Sequence, residues 1–201
     1  MNPVESYIKR EADAIRQIPV DDSYERAIDL IYKRVHEQHG KVVVSGMGKA
    51  GQIALAIATT FSSTGTPAVF LHPADAQHGD LGILRPEDIM ILISNSGKTR
   101  EILELVTLAA NLYTGIPLIV ITGNKDSELA RSADVCIYTG GPAELCPLAL
   151  SPTISTTVMS VIGDILVVSM MERIGFTTAD YARRHHGGYL GEKSREQARR
   201  S

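Results

Sequence analysis

Five short apolar runs constrain this chain more than any other feature. KVVVS, PAVFL, IMILIS, PLIVIT and DVCIY begin at Lys41, Pro67, Ile89, Pro117 and Asp134. Each is too short for a helix and rich in Val, Ile or both. None alternates apolar with polar residues, so each reads as a strand buried on both faces, hence part of a parallel sheet. Their starts are 26, 22, 28 and 17 residues apart, and the longer intervals fit a strand, a turn, a helix and a return. Gly65-Thr66-Pro67 and Gly115-Ile116-Pro117 mark two of the returns. The last interval leaves room for a short helix around Ser127–Ser132. The sequence therefore predicts an α/β fold, a doubly wound three-layer α/β/α sandwich on a five-stranded parallel sheet. Ligands in such folds sit beyond the carboxyl ends of the strands, so function is expected in the segments that follow them.

Two amphipathic segments, 2–17 and 22–38, come first; Ala27, Leu30, Ile31 and Val35 recur at helical spacing in the second. Residues 1–38 thus read as an N-terminal helical extension and 39–191 as the domain. Residues 192–201 form a charged C-terminal tail, apolar only at Ala198, that is expected to fray. Ile154 to Met171 carries one charge, Asp164, and is long enough for a membrane span. Its serines and threonines and its central carboxylate favour a core helix instead.

The 201 residues suit one domain with extensions. With 44% hydrophobic and 21% charged residues, the chain is neither disordered nor low in complexity. A net charge of -3 gives no global field to attract nucleic acid. Glu5, Lys9, Arg10, Glu11 and Asp13 rule out a signal-peptide core at the N-terminus. Cys136 and Cys146 form no CxxC, so reduced thiols and a cytoplasmic setting are expected, with no membrane and no nucleic-acid partner.

Gly46, Gly48 and Gly51 follow the first strand and match G-x-G-x-x-G. The acid that a dinucleotide needs near the end of the second strand is missing, since that strand ends Phe70-Leu71-His72-Pro73. A Walker loop also fails, with Val43 in place of its first Gly and Ala50 in place of Ser or Thr. What survives is an anion-suited helix start with Ser45 and Lys49 beside it; the plainer reading is a tight strand–helix turn. After the third strand comes Ser94-Asn95-Ser96-Gly97-Lys98-Thr99. Three hydroxyls and exposed amides at a helix start can surround a phosphate, whereas a helix cap needs only one hydroxyl. Two such turns on one sheet edge suit a small phosphorylated molecule better than a dinucleotide.

Ionisable residues follow other strand ends: His72, Asp75 and His78 after the second, and Glu144 after the fifth. Loop triples such as His72, Asp75 and His78 are mostly incidental, so no metal is expected. Packing is the plainer role of Cys146. Ser151 and Pro152 are expected to open the long helix as N-cap and first residue, ahead of Thr153 and Ser155. His185-His186-Gly187-Gly188 stands near the end.

Together, VVVSGMGKAG, STGTPAVFLHPADAQHGDLG, ISNSGKTREI, ITGNKDSELARSAD, ELCPLALSPTISTT and the HHGGYLG ending resemble the sugar isomerase (SIS) domain, a flavodoxin-like fold. More narrowly, the chain is similar to the arabinose 5-phosphate isomerases of 3-deoxy-manno-octulosonate (Kdo) synthesis. There are departures. Lys98 stands where that family usually has Glu, His186 where it has Pro, and Ala50 where it has Ser. Many of its members continue into paired CBS modules; ending ten residues past Gly191, this chain is expected to lack them.

The resemblance implies interconversion of D-ribulose 5-phosphate and D-arabinose 5-phosphate through an enediol, feeding lipopolysaccharide or capsule. It also implies a homotetramer with active sites near subunit contacts, and no cofactor. It carries Lys49, Glu101, Glu144 and His185 onto catalytic positions. Glu144 is expected as the C1/C2 base, His185 as proton shuttle and Lys49 as stabiliser of the enediolate. Glu101 would orient Lys49 or a sugar hydroxyl, or be no more than an acid at a helix start. Ser45, Gly46, Gly48, His78, Ser94, Asn95, Ser96, Thr99, Thr153 and Ser155 are expected to bind substrate. The alternatives are another SIS isomerase, acting on sedoheptulose 7-phosphate or a hexulose phosphate, or a sugar-phosphate sensor without catalysis. The sensor reading lacks a recognisable DNA-binding module in the first 38 residues.

Overall fold

The computed structural model describes residues 2–199. Five parallel strands, β1 (Val42–Gly46), β2 (Ala68–Phe70), β3 (Ile89–Ile93), β4 (Leu118–Thr122) and β5 (Val135–Tyr138), form one sheet in the order β2-β1-β3-β4-β5. The three central strands, β1, β3 and β4, are buried along their whole length. Side chains alternate between two cores, as the twofold period of a strand requires. Val42, Val44, Ile89, Ile91, Ile93, Ile119 and Ile121 face one core. Val43, Met90, Leu92, Leu118 and Val120 face the other. This two-sided burial is why the strand sequences lack alternation.

The first core is covered by α1 (Pro3–Arg16), α2 (Ser23–Ile31), α3 (Gly48–Ser63) and α7 (Ile154–Arg173). The second is covered by α4 (Pro73–Ala76), α5 (Arg100–Leu112) and α6 (Glu128–Arg131). The intervals after β1 and β3 hold the helices expected, and the short α6 falls in the last one, but the interval after β2 holds only the four-residue α4 and a 3-10 turn at Asp80–Ile83. The second amphipathic segment is not one uniform helix: α2 passes into a π-helical stretch at Tyr32–Glu37. By length and composition α7 could cross a membrane. Its Val158, Met159, Ile162, Leu166 and Met170 are buried in the first core.

Two expectations from the sequence need correction. The N-cap of α7 is Thr153, and the helix starts at Ile154, not at Pro152. The physical reason is the carboxylate of Glu144, which takes the first amides in place of a Ser151 hydroxyl. The tail does not fray from Glu192. After α8 (Thr178–Arg184), helix α9 runs Gly188–Ala198 and packs on α8. Arg195 Nη1 donates to His186 O at 3.1 Å, and Ser194 is buried.

Candidate active site

The order of strands reverses between β1 and β3, where the following turns lead to opposite faces of the sheet and leave a crevice. A cleft of about 250 Å³ lies there. Three helix starts line it: Met47, Lys49 and Ala50 of the α3 turn; Ser94, Asn95, Ser96 and Thr99 of the α5 turn; and Pro152, Ser155 and Thr156 of the α7 start. Helix N-termini carry unpaired amides and a partial positive charge, so this convergence suits an anion.

The α3 turn is shaped by close packing. A Cβ on Gly46 would stand 2.8 Å from the backbone of Ala50, and one on Gly51 would stand 2.6 Å from Gly46 O. These two glycines of the dinucleotide-like motif let α3 pack directly on the end of β1. Gly48 holds a positive φ of 61°, exposed on the turn. Lys49 follows, exposed and without a hydrogen bond or ion pair among the described residues. Ser45 is not at the cleft. It is fully buried, and its hydroxyl donates to Leu71 O at 2.6 Å, joining β1 to the exit of β2.

The α5 turn is built around Ser94. Its hydroxyl accepts from Gly97 N at 3.2 Å and pairs with Thr99 Oγ1 at 2.8 Å. Ser96 Oγ accepts from Lys98 N, and Asn124 Nδ2 donates to Ser96 O, both at 3.2 Å. The amides of Ile102 and Leu103 close on Thr99 O, leaving those of Arg100 and Glu101 as the open donors of the helix start. Glu101 is half-buried in the first turn and makes no hydrogen bond or ion pair among the described residues. Asn124 in the β4 turn went unread in the sequence; a lone Asn in a loop carries no signal.

The α7 start is occupied. Glu144 Oε2 accepts from Thr153 N at 2.7 Å, Thr153 Oγ1 at 2.8 Å and Ser155 N at 3.3 Å. Burial pushes this carboxyl up. The Ser155 hydroxyl, the Thr153 amide and hydroxyl and the Ser155 amide more than offset that, holding it below its ordinary value. Glu144 is therefore an ionised carboxylate at neutral pH. Ser155 also lines the cleft, whereas Glu144 stands behind it on the Ser155 amide and does not line the cleft itself. Thr153 is engaged in holding Glu144, and its hydroxyl also accepts from Leu145 N at 2.9 Å.

Like Ser45, His78 and His185 do not line the cleft. His78 is exposed on the turn after α4 and does not line the cleft. His185 follows α8, which begins beyond the far end of α7, about 27 Å of helix from Ser155. Its ring stacks on Tyr181 with centroids 3.7 Å apart, and its Nδ1 lies 3.1 Å from Tyr181 O. The neighbouring Arg184 guanidinium sits 5.3 Å from the Phe176 ring. Arg184 lies against Leu55, Ala58 and Phe70, and His185 does not line the cleft with Lys49. Among the described residues no three His, Cys, Asp or Glu side chains converge as a metal set.

Residues 35–169 match the SIS domain. The chain belongs to the SIS family. A Bacteroides fragilis protein described as a phosphosugar isomerase involved in capsule formation is 61% identical, with a TM-score of 0.91 over 92% of this chain and 97% of that one. An Escherichia coli CFT073 protein solved in complex with arabinose 5-phosphate is 38% identical, with a TM-score of 0.81 over 90% of this chain and 95% of that one. Among curated SIS proteins, the arabinose 5-phosphate isomerase KdsD of Yersinia pestis is 45% identical over 92% of this chain and 55% of its own length. The chain spans about half the length of the curated relatives it matches. Its five-stranded parallel sheet between helical layers is the fold expected for the family.

Proposed function

We propose that this SIS domain is an aldose–ketose isomerase that interconverts D-ribulose 5-phosphate and D-arabinose 5-phosphate. One observation carries the reading: an ionised carboxylate, Glu144, hydrogen-bonds Ser155 at the rim of a cleft that also presents Lys49 and the Ser94–Thr99 turn. The names of the KdsD relatives and the arabinose 5-phosphate complex of the Escherichia coli protein support the choice of substrate.

The phosphate sits on the open amides of α5 with Ser96, Thr99 and Asn95 around it, while Ser94 keeps the turn in shape. Glu144 removes a proton from C1 of the ketose to give the 1,2-enediol and returns one to C2. Lys49 offsets the charge that develops on the oxygens. One hydroxyl proton must also leave O1 while one arrives at O2. His185 carries that transfer and assists ring opening of the aldose, arriving from a second copy of the chain. Glu101 orients Lys49. The assembly that brings His185 in is a homotetramer with active sites at subunit contacts. Leu148 and Leu150, exposed at 74% and 78% beside Glu144, are apolar surface suited to such a contact. The enzyme is cytoplasmic and supplies Kdo synthesis for lipopolysaccharide or capsule. The capsule role described for the Bacteroides fragilis protein supports the second destination.

A coupled assay with D-ribulose 5-phosphate, D-fructose 6-phosphate and D-sedoheptulose 7-phosphate tests this. The expected result is turnover of the pentulose phosphate to D-arabinose 5-phosphate. Preference for either longer sugar overturns the substrate, and saturable binding without turnover of any overturns the enzyme.

A further inference from the structure

The segment between β5 and α7 carries Glu144 and is long for a connection in a compact domain. Most of its polar ties are local. The carboxylate of Glu144 and the amide of Leu145 are held by Thr153 and Ser155, where the same segment enters α7. Ala149 N closes on Cys146 O. Gly141 N reaches Thr139 Oγ1 at 3.4 Å. Thr139 N closes on Thr122 O of β4 at the start of the segment, and beyond it the tie from another element, among the described residues, comes from α1, where Arg10 Nη2 donates to Glu144 O at 2.7 Å.

The position of α1 makes that tie informative. The helix is firmly started, with Pro3 in its first turn and a capping box between Asn2 and Glu5. It packs on α7 yet buries none of its own residues. An exposed hydrogen bond adds little to the stability of the whole domain. Its effect is local, because it fixes the peptide of the one residue whose carboxylate is fixed by α7. Glu144 is thus held at two points, the backbone by α1 and the side chain by the α7 start. We infer that Arg10 is a positioning residue for Glu144, clamping the peptide so that the carboxylate keeps its place beside Ser155. This rests on the proposed role of Glu144 as the base. It extends the functional unit to α1, outside the 35–169 match to the family.

Arg10→Ala and Arg10→Lys in the full chain test this by two readouts. With D-ribulose 5-phosphate, Arg10→Ala lowers kcat about tenfold and leaves KM within about twofold, since misplacement of a reacting group costs rate more than binding. Arg10→Lys, and free guanidinium ion added to Arg10→Ala, each recover part of the loss. In hydrogen–deuterium exchange, the 140–152 peptides of Arg10→Ala exchange faster, while α1 and α7 keep their wild-type protection. Unchanged exchange in the 140–152 peptides overturns the inference, and so does faster exchange spread equally over α1 and α7. Glu144→Gln separates the two claims. If that variant keeps its turnover, the site assignment fails, while the exchange data still decide whether Arg10 holds the segment.

Discussion

The carboxylate of Glu144 and the amide of Thr153 lie 2.7 Å apart, so a side chain read as a base also caps the longest helix. The same contact shapes the charge state of Glu144. An acid at a helix start is stabilised as its anion by the unpaired amides there. A base in this position is fully ionised at neutral pH and pre-oriented.

That arrangement fixes a pH dependence. The folded-state pKa of Glu144 lies below its unfolded value, because the Thr153 and Ser155 donors outweigh burial. Its contribution to stability is present above the unfolded value and is lost as pH falls through the folded one. The acid limb of kcat/KM should lie below the ordinary glutamate range if Glu144 sets it. Thr153→Ala removes one donor and should move the limb upward. A pH–rate profile of both proteins checks this; a limb that stays fixed contradicts the assignment.

The α5 turn separates binding from folding. Thr99→Val removes a hydroxyl at the cleft rim and should raise KM for a sugar phosphate more than it lowers kcat. Ser94→Ala removes the hydroxyl that pairs with half-buried Thr99 and leaves the Gly97 amide on Ser94 O alone. It should cost about 1 kcal/mol of stability as well, read from urea unfolding.

Much of this was legible in the sequence, for physical reasons. The Val- and Ile-rich runs read as strands buried on both faces, which holds for β1, β3 and β4 but not for the edge strands β2 and β5, and their spacing pointed to crossovers through helices. The α5 turn was legible because three hydroxyls exceed what a cap needs. Other parts were not. Ser45 looks the same in sequence whether it faces a phosphate or Leu71 O, and the register of β1 against β2 decides between them. The cap of α7 was misread because Glu144, nine residues before Thr153, competes with the local Ser151. Arg10 carries no signal at all, since its acceptor is a backbone carbonyl 134 residues away.

The two thiols should differ in reactivity. Hydrogen bonds from the amides of Ser151, Leu150 and Leu148 lower the Cys146 pKa to about 7. Burial, and then Asp21, push the Cys136 thiol up. Alkylation followed by mass spectrometry should label Cys146 first, with a midpoint near pH 7. Equal labelling of both cysteines at neutral pH contradicts this account of the loop.

His185 does not line the cleft of its own chain, and its delivery by a second copy predicts complementation. Glu144→Gln and His185→Ala are each expected to be nearly inactive. Unfolded together and refolded as a mixture, they should recover activity that neither shows alone, because some sites then combine an intact Glu144 with an intact His185 from another copy. A mixture no more active than its parts contradicts delivery of His185 by a second copy.

Turnover of D-ribulose 5-phosphate to D-arabinose 5-phosphate by Glu144→Gln, followed by phosphorus NMR beside the unaltered protein, tests the account most directly. The variant keeps the shape of the side chain and should remain folded. Loss of a positioned base predicts a fall in turnover of about 10²–10⁴ with binding largely retained. Turnover close to that of the unaltered protein would contradict Glu144 as the base and, with it, the reaction proposed for the cleft.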